Sequence, residues 1–444
     1  MTDLSGWLGT DKVYLPTIGE HGSSFDENMD STFTNIYNRI WGDGVYNAVS
    51  DYSLSTSGTA AANASNLNTA IGAAVAASKA LVIPGGTYEV ATNVIKFRNG
   101  LHLICQGPVI LKNTSTSGFV IRTQDNSGNC PPESSIVNNE FDLSMKVDGP
   151  FCIDMNSKGD VGLLLECVWR GHFNYISVIN VPDGTFSYDD GGGSQTYNKT
   201  GIYLKGITSA TTGAYYNLFN HTFVSGISSE SYGKDGIALG TTTGQTTYNA
   251  NMNSFLHPRV LWLTTGFNII TGNSNLIDHP ELSTNTTGMS IADDRMDVRS
   301  PYIESCTTGL SFGSSADRCI VRAPIHCSSN TTNFSNAGTQ NHVEWEAETV
   351  FTNKDATPDI TIGNMFAINY TEATDITNFD GGRIDKMITL RRSGGDGTPT
   401  IKHDTDKVRL DESSDWAMAT GDVLTLKYNG SIWYEVCRMD YSGP

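Results

Sequence analysis

Four similar blocks decide the fold: Phe255–Val260 (FLHPRV), Ile277–Leu282 (IDHPEL), Val298–Ile303 (VRSPYI) and Val321–His326 (VRAPIH). Their prolines fall at intervals of 22, 21 and 23 residues (280 − 258, 301 − 280 and 324 − 301). A period near 22, with short alternating stretches and no helical spacing, is typical of a solenoid of β-strands with one coil per repeat. The sequence therefore predicts a parallel β-helix.

The period also assigns side chains to faces, because neighbours along a strand point to opposite sides. Positions three before and two after each proline are predicted to face inward, in two columns: Phe255, Ile277, Val298 and Val321, then Val260, Leu282, Ile303 and His326. Positions two before and one after are predicted to face solvent, where a polymer could contact them: Leu256, Asp278, Arg299 and Arg322, then Arg259, Glu281, Tyr302 and Ile325.

Composition limits the classes of partner. The chain has 444 residues, 45 glycines and a net charge of −19, which argues against nucleic acid or an anionic membrane surface. No run approaches the roughly 18 apolar residues of a membrane span, and the first residues lack the basic and apolar segments of a secretory signal. We therefore expect no membrane insertion, synthesis in a cytoplasm, and eight cysteines that remain thiols.

Three regions follow along the chain. Residues 1–58 have no period and are predicted to be an arm that becomes ordered on a partner. Residues 59–350 are predicted to form the all-β solenoid, with an alanine-rich capping helix at about 60–78, and residues 360–444 an antiparallel β-sandwich. Two polar insertions, 182–200 and 240–252, are expected to form loops on the flank of the solenoid. They carry Tyr188, Tyr197 and Tyr248, which are suited to stacking on sugar rings.

Two stretches resemble known families. The alanine-rich helix followed by Leu81–Tyr88 (LVIPGGTY) resembles the start of the pectate-lyase-like right-handed β-helix superfamily, which includes phage tailspikes and polysaccharide depolymerases. The usual Asp-Asp pair before that helix is replaced here by Asn63–Asn68 (NASNLN). The C-terminal run, from Ile376–Gly382 (ITNFDGG) to Gly421–Val436 (GDVLTLKYNGSIWYEV), looks like a module at the ends of phage tail and tailspike proteins.

The resemblance implies a virion protein of the phage tail, assembled in the host cytoplasm as a homotrimer. Its binding sites would lie on the solenoid flank or between subunits, and its ligand would be a host surface polysaccharide, such as capsule, O-antigen or exopolysaccharide. The N-terminal arm would then attach to the tail or baseplate. Catalytic residues do not transfer, because they differ among members of the superfamily and no motif matches here.

Two pairs of outward carboxylates are candidates for glycoside hydrolysis, which uses two carboxyl groups about 6.5–9.5 Å apart when the anomeric centre is inverted. Glu281 and Glu304 lie one coil and two residues apart, about 8 Å from the spacings of coils and strand residues. Asp278 and Asp297 have the same relation and come next. Arg259, Tyr302 and Arg299 share these columns and are predicted to contact substrate. Ladder salt bridges, Arg259 with Glu281 and Arg299 with Asp278, are the purely structural alternative.

Other polar clusters suggest weaker chemistry. The run Asp293, Asp294, Arg295, Asp297 and Arg299 could indicate a calcium-assisted lyase, but calcium needs six to eight converging oxygens, so a solvated loop is favoured. His257 and His279 share a turn position, where exposed histidines are common. We predict no cofactor and no metal, since no phosphate loop, nucleophile elbow or paired metal-ligand motif occurs.

Two functions of different classes remain open. One is a receptor-binding tailspike or tail-fibre protein that cleaves a host polysaccharide, as a glycoside hydrolase rather than a lyase. The other is a structural or adhesive virion protein on the same scaffold without catalysis. Release of oligosaccharide from a host glycan separates them.

Overall fold

The computed structural model describes residues 45–91, 94–124, 145–189, 194–206, 213–228, 232–241, 250–344, 348–352 and 354–441. Within these ranges, residues 45–343 form the predicted parallel β-helix, whose strands stack in three parallel ladders. A mixed β-sandwich follows. No helix within the described ranges is long and apolar enough to cross a membrane.

Each ladder stacks one strand of every coil on the next. The first contains Val45–Asn47, Ala80–Val90, His102–Asn113, Lys146–Asp148, His172–Asn174, Leu218–Asn220, Ser254–Leu256, Leu276–Asp278, Asp297–Arg299, Ile320–Arg322 and His342–Val343. The second begins with the later halves of Ala80–Val90 and His102–Asn113, and continues with Phe151–Asp154, Ile176–Val181, Phe223–Gly226, Arg259–Leu261, Glu281–Ser283, Tyr302–Glu304 and His326–Ser328.

The third ladder contains Ile95–Arg98, Phe119–Gln124, Val161–Glu166, Thr200–Lys205, Gly233–Leu239, Leu263–Ile269, Thr287–Ile291, Thr308–Phe312 and Thr332–Asn336. A short additional ladder pairs Ala214–Tyr215, Ala250–Asn251 and Gly272–Asn273. The insertion at 182–200 contains an antiparallel hairpin, Thr185–Asp189 with Ser194–Asn198.

The phasing of the inner columns is confirmed, with one exception. Phe255, Ile277, Val298 and Val321 pair in register and are fully buried, and so are Val260, Leu282 and Ile303. The prediction that His326 faces inward is wrong: Cys327 pairs with Ile303, and His326 is exposed beside Tyr302. Six residues separate Val321 from Cys327, against five between Val298 and Ile303, so the extra residue moves His326 to the other face.

The coils turn sharply between the first and second ladders at a single left-handed residue. His257, His279 and Ser300 have φ of 51°, 50° and 46°. Polar side chains tolerate this conformation better than β-branched ones do.

Inside the solenoid, the amide of Asn217 donates to Asn253 (2.9 Å) and that of Asn253 to Asn275 (3.1 Å), and all three side chains are buried. This ladder satisfies polar groups that turns would otherwise bury unpaired.

The N-terminal end of the solenoid is covered by helix α1, Ala60–Ala76. Asn63 donates to the carbonyl of Glu89 (3.1 Å), while Asn68 donates to Val94 O (2.9 Å) and accepts from Lys96 N (2.7 Å). These contacts satisfy backbone groups of the first strands of the second and third ladders, which have no preceding strand among the described residues. The asparagines that depart from the superfamily pattern therefore cap the edge.

The predicted arm, 1–58, lies outside the described residues up to residue 44. Val45–Asn47 already pairs in parallel with Ala80–Val90, and Ala48 and Leu54 are buried in the solenoid core. A three-residue strand carries no period, so the sequence placed the start of the solenoid too late.

The C-terminal unit has a six-stranded sheet of Thr349–Phe351, Met365–Ile368, Met387–Arg392, Val423–Tyr428, Trp433–Met439 and Val408–Arg409, and a three-stranded sheet of Thr374–Ile376, Pro399–Ile401 and Trp416–Ala417. This unit is the predicted β-sandwich, and its strand pairings are mixed. Val423–Tyr428 is antiparallel to both of its neighbours. Parallel pairs join Thr349–Phe351 to Met365–Ile368, Met365–Ile368 to Met387–Arg392, and Val408–Arg409 to Trp433–Met439. The parallel stacking of the solenoid thus continues into this unit.

Candidate functional site

The outward columns of the first and second ladders form the candidate site. Arg259, Glu281 and Tyr302 are register partners in the second ladder, and Glu304 pairs with Ser283, two positions further along. Glu281 and Glu304 therefore lie on adjacent coils in the diagonal relation that the sequence predicts. The Glu281 side chain is 39% exposed. The Glu304 side chain is partly exposed as well.

Both glutamates already have polar partners. Arg259 Nε donates to Glu281 Oε1 at 2.9 Å, the ladder salt bridge that the sequence offers as a structural alternative. Ser328 Oγ donates to Glu304 Oε1 at 3.4 Å, and the hydrogen bond of the Tyr302 hydroxyl to Glu304 raises the pKa of that tyrosine. The Arg259–Glu281 pair is exposed, so it contributes only about 0–1 kcal/mol and a ligand can displace it at small cost.

The second candidate pair is less available. Asp297 accepts from Arg299 (3.0 and 2.8 Å) and from Arg322 Nε (2.8 Å), so two guanidinium groups occupy its carboxylate. Its hydrogen bond to Arg299 raises the pKa of that guanidinium. Arg299 does not form the expected ion pair with Asp278. It pairs with Asp297 instead, which lies two residues away on the same strand. Asp278 instead contacts His279 Nδ1 at 2.9 Å.

A row of stacked rings follows the turn between the first and second ladders. This corner stack consists of Tyr175, His221, His257 and His279, with successive ring centroids 5.0, 5.1 and 5.3 Å apart and ring planes within 20° of parallel. All four side chains are exposed. The sequence placed His257 and His279 in one column. Tyr175 and His221 belong to earlier coils whose repeat is not clear in the sequence, so their positions in the stack could not be predicted.

A second stack begins one coil beyond the first. Tyr302, which is 38% exposed, lies 4.6 Å from His326 with ring planes 8° apart. The residue shift that exposes His326 therefore creates this pair. Tyr302 is the register partner of Glu281, so this second stack begins beside that carboxylate on the next coil.

The tyrosines of the first insertion do not face a groove. Tyr197 is only 3% exposed, so the prediction that it stacks on sugar is wrong. The hairpin folds onto the third ladder, where Tyr188 and Tyr197 pack around Val161, Leu164 and Tyr203. Apolar ring surface is more stable there than in water. Tyr248, the predicted stacking residue of the second insertion, lies outside the described residues.

A buried ionic cluster beneath this hairpin was missed by the sequence. Arg122 Nε donates to Glu166 (2.7 Å), the Tyr188 hydroxyl donates to Glu166 (2.7 Å), and Lys205 Nζ donates to the Tyr197 hydroxyl (3.2 Å). Glu166 and Lys205 are fully buried. These residues lie far apart in the chain and in coils without a clear period, so no spacing signalled them. The cluster anchors the hairpin to the solenoid.

The acidic run at 293–299 does not converge on one point. Asp293 is 5% exposed, and burial raises its pKa to about 7, whereas Asp297 is held by two arginines on the flank. Within the described ranges, no group of three or more His, Cys, Asp or Glu side chains is arranged to hold a metal ion.

The C-terminal unit is similar to a known family of domains. Residues 346–434 match the family model of the phage depolymerase C-terminal beta sandwich domain, which confirms the resemblance of this run to a module of phage tail proteins. Among curated proteins, no sequence matches the chain. Among solved structures, the A-module of the mannuronan C-5 epimerase AlgE4 from Azotobacter vinelandii has a TM-score of 0.43 and 11% identity, over 73% of this chain and 94% of that one.

Proposed function

We propose that this phage protein binds a host surface polysaccharide along the flank of its β-helix and depolymerises it. The observation that carries the proposal is the depolymerase-type domain at residues 346–434, directly after the solenoid. The flank supports it with two carboxylates on adjacent coils, exposed rings and arginines. Capsule, O-antigen and exopolysaccharide are the candidate ligands.

Glu281 and Glu304 are proposed as general acid and base of an inverting glycoside hydrolase. One coil spacing and two residues along the strand give an estimated separation of about 8 Å, which would leave room for a water molecule between one carboxylate and the sugar. One carboxyl group protonates the leaving oxygen and the other removes a proton from the attacking water. For this to occur the sugar must displace Arg259 from Glu281, while Ser328 Oγ donates to Glu304 at 3.4 Å.

The test is the activity of Glu281→Gln and Glu304→Gln on the surface polysaccharide of a susceptible strain. Each change should lower turnover by at least about a hundredfold, the scale of a lost general acid or base, with melting temperature unchanged. Glu372→Gln, which makes the same change at an exposed ion pair with Lys354 in the C-terminal unit, is the matched control and should retain activity.

Three outcomes are informative. Full activity in both glutamine variants would exclude this pair. Unsaturated sugars among the products would show that the protein cleaves the chain as a lyase and not as a hydrolase. Tight binding without any chain cleavage, over a panel of host glycans, would favour the second candidate, an adhesive virion protein on the same scaffold.

Assembly and attachment belong to the same proposal. We propose a homotrimer in the phage tail, with residues 1–44 in the attachment to tail or baseplate. Exposed apolar side chains on the outer face of the six-stranded sheet support association at the C-terminal end, since large apolar patches in water are unfavourable. They include Val350, Met365, Met387 and Met439, each between 47 and 54% exposed.

A further inference from the structure

The corner stack ends abruptly at Ser300. Tyr175, His221, His257 and His279 occupy the same turn position in successive coils, and Ser300 occupies it in the next. Its φ of 46° continues the left-handed conformation of His257 and His279, so the backbone of the turn is unchanged. Only the ring is missing. One face of the His279 imidazole is therefore not covered by a ring of the next coil.

The space beside Ser300 is bordered by groups suited to a sugar. Tyr302 begins the second stack on the same coil as Ser300, and Glu281 lies on the same coil as His279. Asp278 Oδ1 contacts His279 Nδ1 at 2.9 Å and fixes the orientation of that ring. The Ser300 hydroxyl has no hydrogen bond within the described part of the chain. Arg299, with a side chain 47% exposed, flanks the other side.

We propose that one pyranose ring of the polysaccharide binds at Ser300, in the place of the missing ring, with its C–H face against His279. The spacing of the stack, 5.0–5.3 Å between centroids, leaves one ring thickness at this coil. The sugar hydroxyls then meet the Ser300 hydroxyl, Arg299 and the Glu281 carboxylate. This subsite rests on the proposed function for the identity of its ligand, and it puts a glycosidic bond beside Glu281 and Glu304.

If the corner stack has only a structural role, a different experimental result is expected. Stacked rings stabilise neighbouring coils, as aromatic pairs do by about 0.5–1.5 kcal/mol beyond burial. If stabilisation were the whole role, a ring at position 300 would extend the stack and leave glycan binding unaffected. If a sugar binds there, the added ring would stabilise the protein and block the ligand. The two roles therefore separate in one variant.

The experiment measures the affinity of full-length protein for the surface polysaccharide extracted from a strain to which the unaltered protein binds. Glu304→Gln is present throughout to prevent degradation, because Glu304 is not among the proposed sugar contacts of the subsite. Ser300→His should bind at least about tenfold more weakly, with a melting temperature equal or higher. Ser300→Asn tolerates the same left-handed turn, keeps a hydrogen-bonding side chain and adds no ring, so it should bind at least about fivefold more tightly than Ser300→His.

A second pair of variants guards against misfolding of Ser300→His. His279→Asn removes the platform and should weaken binding by about fivefold or more, whereas His221→Asn makes the same change two coils away and should not. Unchanged affinity in Ser300→His, or equal losses in the two asparagine variants, would overturn the subsite. Failure of the proposed function is distinct: the unaltered protein would then bind no host polysaccharide or cleave none.

Discussion

Ile277 shows how a single residue of the repeat stabilises the solenoid. It is fully buried and lies in register between Phe255 and Val298. These two partners in the buried column belong to the preceding and the following coil. Repeats of this kind bury their core only by stacking. Residues of the outward columns, such as Arg259, have no such role, because their partners are exposed.

Ile277→Ala should lower the free energy of unfolding by about 2–5 kcal/mol, the cost of a cavity in a packed core. Chemical denaturation of the two proteins measures the difference. Thr286→Ala, at an exposed position of the next turn, is the control and should change it by less than about 0.5 kcal/mol. A loss below 1 kcal/mol for Ile277→Ala would contradict the buried column.

The junction between the last coil and the C-terminal unit depends on a buried lysine. Lys386 Nζ donates to the carbonyls of Ile360 and Thr361 and lies 3.1 Å from His342 Nδ1, in the last strand of the first ladder. Burial lowers the pKa of Lys386 to about 7, and burial together with the charge of Lys386 lowers that of His342 to about 3. The junction thus disfavours protonation of both groups.

Stability should therefore rise with pH across two windows. Between about pH 7 and 10.5, Lys386 is protonated in the unfolded chain but not in the folded chain. The same holds for His342 between about pH 3 and 6.5. Because the unfolded state binds more protons in these windows, raising the pH favours the folded state. Lys386→Met should flatten the upper window in melting temperature measured against pH. Lys427→Met, which removes an exposed lysine paired with Asp385, should leave that window unchanged. Identical profiles for Lys386→Met and the unaltered protein would refute this.

At the scale of the whole molecule, the described residues present two different surfaces, a polar one for a ligand and a partly apolar one for contacts between subunits. The flank of the first two ladders is polar and carries the candidate site, while the outer face of the C-terminal sheet exposes Met365 and Met387. A chain with net charge −19 resists non-specific association, so contacts between copies require such apolar patches.

The full-length protein should have the mass of a trimer by light scattering at micromolar concentration. Replacing Met365 and Met387 together by Asp should shift the mass toward that of the monomer, because charges would be buried between subunits. Thr405→Asp adds charge at an exposed polar position and should leave the mass unchanged. A monomer mass for the unaltered protein would reject the trimer.

The sequence by itself determined the solenoid, its phase and the outward position of Glu281 and Glu304, because every coil must bury the same positions and so repeats them. It also indicated the C-terminal phage module from local motifs. Only the tertiary structure decided the rest. Arg299 pairs with Asp297 rather than Asp278, His326 faces outward beside Tyr302, and the hairpin buries Tyr197 over Lys205. The positions of His326 and Tyr197 depend on a one-residue change in coil length and on contacts between distant segments, which leave no period in the chain. The partner of Arg299 depends on side-chain geometry within one strand, which the repeat does not specify.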